Sequence, residues 1–156
     1  MHEPVASRPP RVGWRVIPEA GLAFHLRLLL GAEIIVTYVR TRLRMRGTDV
    51  RTLVAASRAG APPPPGAVPA GAQERWQVAV RLGYAVGRTL GVLPTDSRCL
   101  VQSLVLSRLL AVRGIPSTLV IGAHSRPDFA AHAWVEYDGR PVLPRQGFHE
   151  SRLLEL

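Results

Sequence analysis

The chain reads as an α+β protein, in which a central apolar helix precedes a small antiparallel sheet and an N-terminal helical arm lies ahead of both. Three observations predict this. Between Cys99 and Arg113, the residues Leu100, Val101, Leu104, Val105, Leu106, Leu109, Leu110 and Val112 make a helix apolar nearly all round. Such a helix belongs in the centre of a domain. Downstream, Ser117–Gly122 and Phe129–Tyr137 read as strands, and Asp138-Gly139 is a strong two-residue hairpin signal returning the chain through Arg140 to Leu143. Upstream, from about Leu22 to Met45, Leu22, Leu26, Leu29, Leu30, Ile34, Val36 and Leu43 recur at helical spacing.

The other segments follow in order. Residues 1–17 are Pro- and Arg-rich without periodicity and read as a flexible tail, and residues 18–59 as the helical arm. Residues 60–72 contain four consecutive prolines, Pro62 to Pro65, which cannot continue a helix and favour an extended linker. Residues 73–156 then form the core domain. It opens with a helix over about Gln73 to Leu90, with Trp76, Val80, Tyr84 and Val86 among its apolar positions, and Pro94 ends the connection that follows. The central helix is expected from Ser97 to Arg113, stopped by Gly114 and Pro116. Asp96 is the expected N-cap, which sets Cys99 in the first turn.

Composition narrows the function. At 156 residues the chain is one domain by length, with enough material for a real core. The net charge of +9 invites a nucleic-acid reading. Yet all 20 basic residues are Arg, scattered except in Arg40–Arg46, in an Ala-, Gly- and Pro-rich background typical of GC-rich coding. No helix-turn-helix, zinc-finger or aromatic RNA-binding signature accompanies them, which argues against nucleic acid. The charge can still steer an acidic peptide segment.

One cysteine excludes an internal disulfide framework and a Cys-rich zinc site, and fits a reducing compartment. The first residues lack an apolar signal-peptide core, so a cytoplasmic location is expected. His25, Arg27 and Glu33 interrupt the apolar run of the arm, which argues against a membrane span and favours a packed or partner-docking helix. No His-x-x-x-His or Cys-x-x-Cys spacing and no Gly-rich phosphate loop is present, so no metal and no cofactor are expected.

The chemistry-bearing pair is Cys99 and His132. A helix N-terminus offers unpaired N–H groups and a dipole that lower a thiol pKa, and a separate histidine can act as its base. On the strand, His132, Trp134 and Glu136 share one face, and Ala131, Ala133 and Val135 the other. The small alanines leave room for a helix terminus to approach. Trp134 is expected to shield the imidazole or to line a peptide groove. His124 and His149 are alternative bases without this strand context.

The blocks Cys99-Leu-Val-Gln-Ser-Leu-Val-Leu106 and His132-Ala-Trp-Val-Glu136, in this order and spacing, resemble the lasso-peptide biosynthesis leader peptidases. These are bacterial members of the transglutaminase-like cysteine protease superfamily. The resemblance is close over about residues 86–143 and looser over Arg152–Leu156. It implies a papain/transglutaminase-like fold, with Cys99 as nucleophile and His132 as general base. The implied reaction is removal of the leader from a ribosomally made precursor peptide. The implied partners are a separate leader-recognition protein and a macrocyclising enzyme, where any nucleotide requirement would reside.

The family pattern has an Asp just past the hairpin, and here that position is Pro144. Gln146 is the expected local substitute, since its amide oxygen can accept the imidazole N–H. Glu150 and a two-residue dyad are the alternatives to it. Glu136 lies roughly 13 Å and Asp138 roughly 20 Å from His132 along an extended chain, too far to orient it. Two other functions remain open: an acyltransferase or transglutaminase using the same thioester, and a catalytically impaired scaffold.

Overall fold

The computed structural model describes residues 24–58, 71–92, 98–124, 130–142 and 151–155. The expected tail and nearly all of the Pro-rich linker lie outside them. Within them are four helices, α1 (Phe24–Arg44), α2 (Val50–Arg58), α3 (Ala72–Leu90) and α4 (Arg98–Val112). Four strands follow, β1 (Thr118–His124), β2 (Ala130–Tyr137), β3 (Arg140–Pro141) and β4 (Ser151–Glu155). The result is an α+β arrangement.

The centre is α4. Val101, Leu104, Val105, Leu106, Leu109 and Leu110 are all buried, on every side of the helix, because α1, α2, α3 and the sheet surround it. Its C-terminus closes in a Schellman motif. Gly114 takes φ 65°, its N–H donates to Ala111 O at 3.0 Å, and the Ile115 N–H donates to Leu110 O at 3.0 Å. A left-handed residue is required there, and glycine supplies it without steric cost. Ile115 then joins the core.

The helix α1 lies against α4 through buried Ile34, with Leu30, Tyr38 and Met45 packed beside it. Glu33 holds Arg113, at the end of α4, by two hydrogen bonds of 3.0 and 2.7 Å. The opposite side of α1 leaves Phe24, Leu28, Leu29, Val36 and Leu43 exposed. The short α2 has no counterpart in the sequence reading beyond the helical arm. Asp49 caps it, accepting from the Thr52 N–H at 3.0 Å and the Thr52 hydroxyl at 2.6 Å. These bonds, the hydroxyl first, hold the Asp49 carboxyl below its ordinary range. The helix α3 buries Ala79, Leu82, Val86 and Leu90, and sets Trp76 against Tyr137 of β2. No helix among the described residues is long and apolar enough to cross a membrane.

The sheet is antiparallel, in the order β3-β2-β1-β4. Asp138 and Gly139 take φ 51° and 69°, the paired left-handed geometry of a type I′ turn, and so set Tyr137 opposite Arg140. The strand β4 pairs with β1 across a register shift at Ile121/Gly122. On β2 the alternation holds: Val135 and Tyr137 enter the core with α4, while Trp134 and Glu136 are buried on the other face.

Candidate active site

Cys99 is the second residue of α4 and is half-buried. The residues just before the helix, Asp96 among them, lie outside the described part. His132 sits in β2 and forms a hydrogen bond with the Cys99 sulfur. That bond is the main reason the thiol pKa falls below its ordinary value. Burial opposes the fall; the Ala133 N–H, the charge of His132 and the Leu100 N–H add to it. The sulfur is therefore held by an imidazole, a strand amide and a helix amide together.

Why the strand amide is available follows from the ladder. The Val142 N–H donates to Val135 O at 2.9 Å, so the main-chain groups of Val135 point towards β3. Two residues earlier, those of Ala133 point the same way. Among the described residues, the pairing of β3 with β2 covers Glu136 and Tyr137, with Val142 adding the bond to Val135. Helix α4 supplies partners for Ala133. Cys99 Sγ accepts from the Ala133 N–H, and Ser103 Oγ donates to Ala133 O at 3.0 Å, in a buried bond.

Cys99 and Ser103 are four residues apart, hence on one side of the helix and one turn from each other. Both grip the same residue of β2, immediately after His132. This fixes the height of the thiol against the imidazole. Ser103 was part of the Cys-Leu-x-x-Ser block, but its sequence carried no sign of what the hydroxyl would meet. Ser107, the next residue on that side, is buried, and its hydroxyl has no hydrogen-bond partner among the described residues.

On the imidazole side, Trp134 stacks on His132 with ring centroids 6.1 Å apart and planes 17° from parallel. Trp134 is 2 % exposed and its Nε1–H donates to Glu136 Oε1 at 2.8 Å. The arrangement is that of a shield over the imidazole, anchored by a buried carboxylate. Glu136 thus reaches His132 through an intervening ring and not by direct contact. Across the sheet, His132 pairs with Gly122, which has no side chain to crowd the imidazole.

The other candidates divide plainly. Gln146, Glu150, Pro144 and His149 lie outside the described residues. His124 closes β1 opposite Ala130, at the end of the strand pair. Among the described residues, no group of three or more His, Cys, Asp or Glu converges as a metal site. A cavity of about 870 Å³ does exist, but at the far end of α4 from Cys99, lined by Ser107, Ile115, Thr118, Glu136 and Asp138 among others.

A thiol of lowered pKa beside an imidazole can attack a carbonyl carbon and hold the acyl group as a thioester. No curated protein and no solved structure matches the chain. The transglutaminase-like superfamily model matches residues 35–151, a span that includes the second half of α1, all of α2 to α4 and both long strands. That match covers most of the sequence, and the chain belongs to the transglutaminase-like superfamily.

Proposed function

We propose that this protein is a cysteine endopeptidase that removes the leader from a ribosomally synthesised precursor peptide in lasso-peptide maturation. The single observation that carries the cysteine chemistry is the Cys99–His132 hydrogen bond with the thiol pKa lowered by it. The resemblance of the Cys99–Leu106 and His132–Glu136 blocks to the leader peptidases supports the choice of substrate.

In the proposed reaction, the Cys99 sulfur attacks the carbonyl carbon at the leader–core junction, and the C–N bond breaks. His132 gives its proton to the departing core amine. Water, deprotonated by His132, then cleaves the thioester, releasing the leader as a carboxylate and restoring the thiol. The imidazole serves as acid in the first half and base in the second. Gln146 is the proposed orienter of the imidazole.

Leader recognition is proposed to come from a separate protein, and the freed core to pass to a macrocyclising enzyme. The exposed apolar side of α1 supports a docking partner, and its Arg40, Arg42 and Arg44 favour one with an acidic rim. The test is mass spectrometry of candidate precursor peptides incubated with this protein, with and without the recognition protein. A cleaved leader, absent with Cys99→Ala, is the expected result. Adding a primary amine distinguishes acyl transfer. An amide adduct on the leader in place of a free carboxylate would replace hydrolysis by transfer, and no reaction with any precursor would sink the assignment.

A further inference from the structure

The outer side of α1 carries a pattern that the core does not use. Ile34 is buried and Leu30, Tyr38 and Met45 pack beside it, so the helix turns one side inwards. A surface helix is ordinarily polar on its other side. Here Leu29, Ala32, Val36, Val39 and Leu43 are all exposed, at successive spacings of three, four, three and four residues. Leu28 and Ile35 widen this strip along one edge and are exposed as well. Exposure reaches 64 % at Leu29 and 57 % at Leu43. Among the described residues, most of the exposed large apolar side chains belong to this one helix, and such a patch marks an interaction surface.

The spacing tells what shape of surface the strip meets. An alternation of three and four is the a/d repeat, by which one helix seats its side chains between those of another. With Leu29 at an a position, the buried Ile34 falls at f, directly away from the seam, so core and seam occupy opposite sides of α1. The seam runs for about 21 Å from Leu29 to Leu43. A helix that lies on lipid keeps a polar face towards water. The helix α1 has apolar groups on both sides and is packed on the core by the inner one.

Charge then selects the partner. Arg40 falls at e and Arg42 at g, one on each flank of the C-terminal half of the seam, and both are exposed. In the N-terminal half the flanks hold Leu28 and Ile35 on one side and Glu33 on the other, and that carboxylate is bound twice by Arg113. Glu33 is the sole acid in α1, so a second copy of this chain would bring no further acid to the seam and a second net charge of +9. Like charge opposes that pairing. A helix with acids on both flanks meets Arg40 and Arg42 together. Such acids are most stable in the first turns of their own helix, which sets the partner's N-terminal end beside the C-terminal half of α1.

We propose that α1 receives one amphipathic helix of a partner protein, antiparallel to it, with the partner's apolar a/d residues on the Leu29–Leu43 seam and glutamates or aspartates flanking its first turns against Arg40 and Arg42. This gives the chemistry of the docking partner proposed above and rests on that reading.

The experiment titrates the full chain with a fluorescein-labelled synthetic peptide of three heptads, carrying leucine and isoleucine at a and d and glutamate at e and g of its first half. Fluorescence anisotropy reads the binding. Saturable one-to-one binding is expected, at least tenfold weaker when lysine replaces the glutamates and lost when the same residues are shuffled out of the heptad. Val36→Glu in the protein should abolish it, and Arg40→Glu should weaken it at least tenfold. Leu29→Glu serves if circular dichroism shows that Val36→Glu fails to fold. A nitroxide at the peptide N-terminus should broaden the amide signals of residues 40–43 in the ¹⁵N-labelled protein; broadening centred on Leu28 would overturn the antiparallel seat. Binding indifferent to flank charge or to Val36→Glu would overturn the proposal. So would a concentration-dependent dimer of the free chain, or capture by phosphatidylglycerol vesicles, that Val36→Glu abolishes. Probe binding without cleavage of any precursor would leave the seam standing and sink the peptidase reading. Cleavage assisted by a recognition protein and indifferent to Val36→Glu would do the reverse.

Discussion

Ser103 and Ala133 are joined by a buried hydrogen bond of 3.0 Å from the serine hydroxyl to the strand carbonyl, while the N–H of the same alanine is directed to Cys99. One residue of β2 is thus held at both its main-chain groups by one side of α4. Removing the hydroxyl frees the helix to shift against the strand and strands a buried carbonyl. Ser103→Ala should lower stability by about 1–3 kcal/mol in urea unfolding. It should also raise the pH at which the thiol reacts, and Ser103→Thr should restore both. An unchanged thiol profile in a destabilised Ser103→Ala protein would reduce the bond to a fold contact.

The thiol itself has a signed pH dependence. An unperturbed cysteine ionises near ~8.5, and in the folded chain Cys99 ionises lower, chiefly through His132. Alkylation by iodoacetamide should therefore be faster in the folded than in the urea-unfolded chain at pH below ~8.5. His132→Ala should move the inflection upwards. The same shift stabilises the fold: its contribution is full above the ordinary thiol pKa and disappears as pH falls through the lowered one. A folded-state inflection at the ordinary thiol value would contradict this.

Activity should depend on two side chains absolutely. Cys99→Ala and His132→Ala should each abolish leader release, with circular dichroism showing an intact fold. Gln146→Ala should slow turnover at least about tenfold, or ~1.4 kcal/mol of barrier, if the amide orients the imidazole. A silent Gln146→Ala assigns a Cys–His dyad.

The indole–carboxylate bond beneath His132 can be tested apart from catalysis. Trp134→Phe keeps a ring against the imidazole but takes one donor from a buried carboxylate. A loss of about 1–3 kcal/mol in denaturant unfolding is expected. Stability equal to wild type would mean that Glu136 is fully served by its other neighbours.

The helix stop offers a backbone test. Gly114→Ala puts a Cβ on a residue at φ 65° and should cost about 1–2 kcal/mol, read as a lower denaturation midpoint. An unchanged midpoint would show that the turn relaxes without loss.

Much of the architecture was legible in the chain because it depends on local chemistry. The apolar residues of α4 surround the helix on all sides, which by itself demands a central position, and Gly114 marks its end. Asp138-Gly139 admits the left-handed pair of a tight hairpin, and that turn alone sets the register of β2 and β3. The lone cysteine near the start of a helix and the histidine in an alternating strand were readable as a reactive pair. What the tertiary structure decided was everything that needs two distant segments at once. β4 is five residues long and pairs with a strand about thirty positions earlier, so no periodicity announces it. Likewise, α2 owes its start to Asp49 but its burial to Leu53 meeting α4. Ser103 meets Ala133 only because the odd-numbered β2 residues turn their main-chain groups towards the β3 edge. Glu136 acts on His132 only through the ring of Trp134 between them. Propensity and turn chemistry are properties of neighbours in sequence. A hydrogen bond across 30 positions exists only once packing has excluded water and set the register.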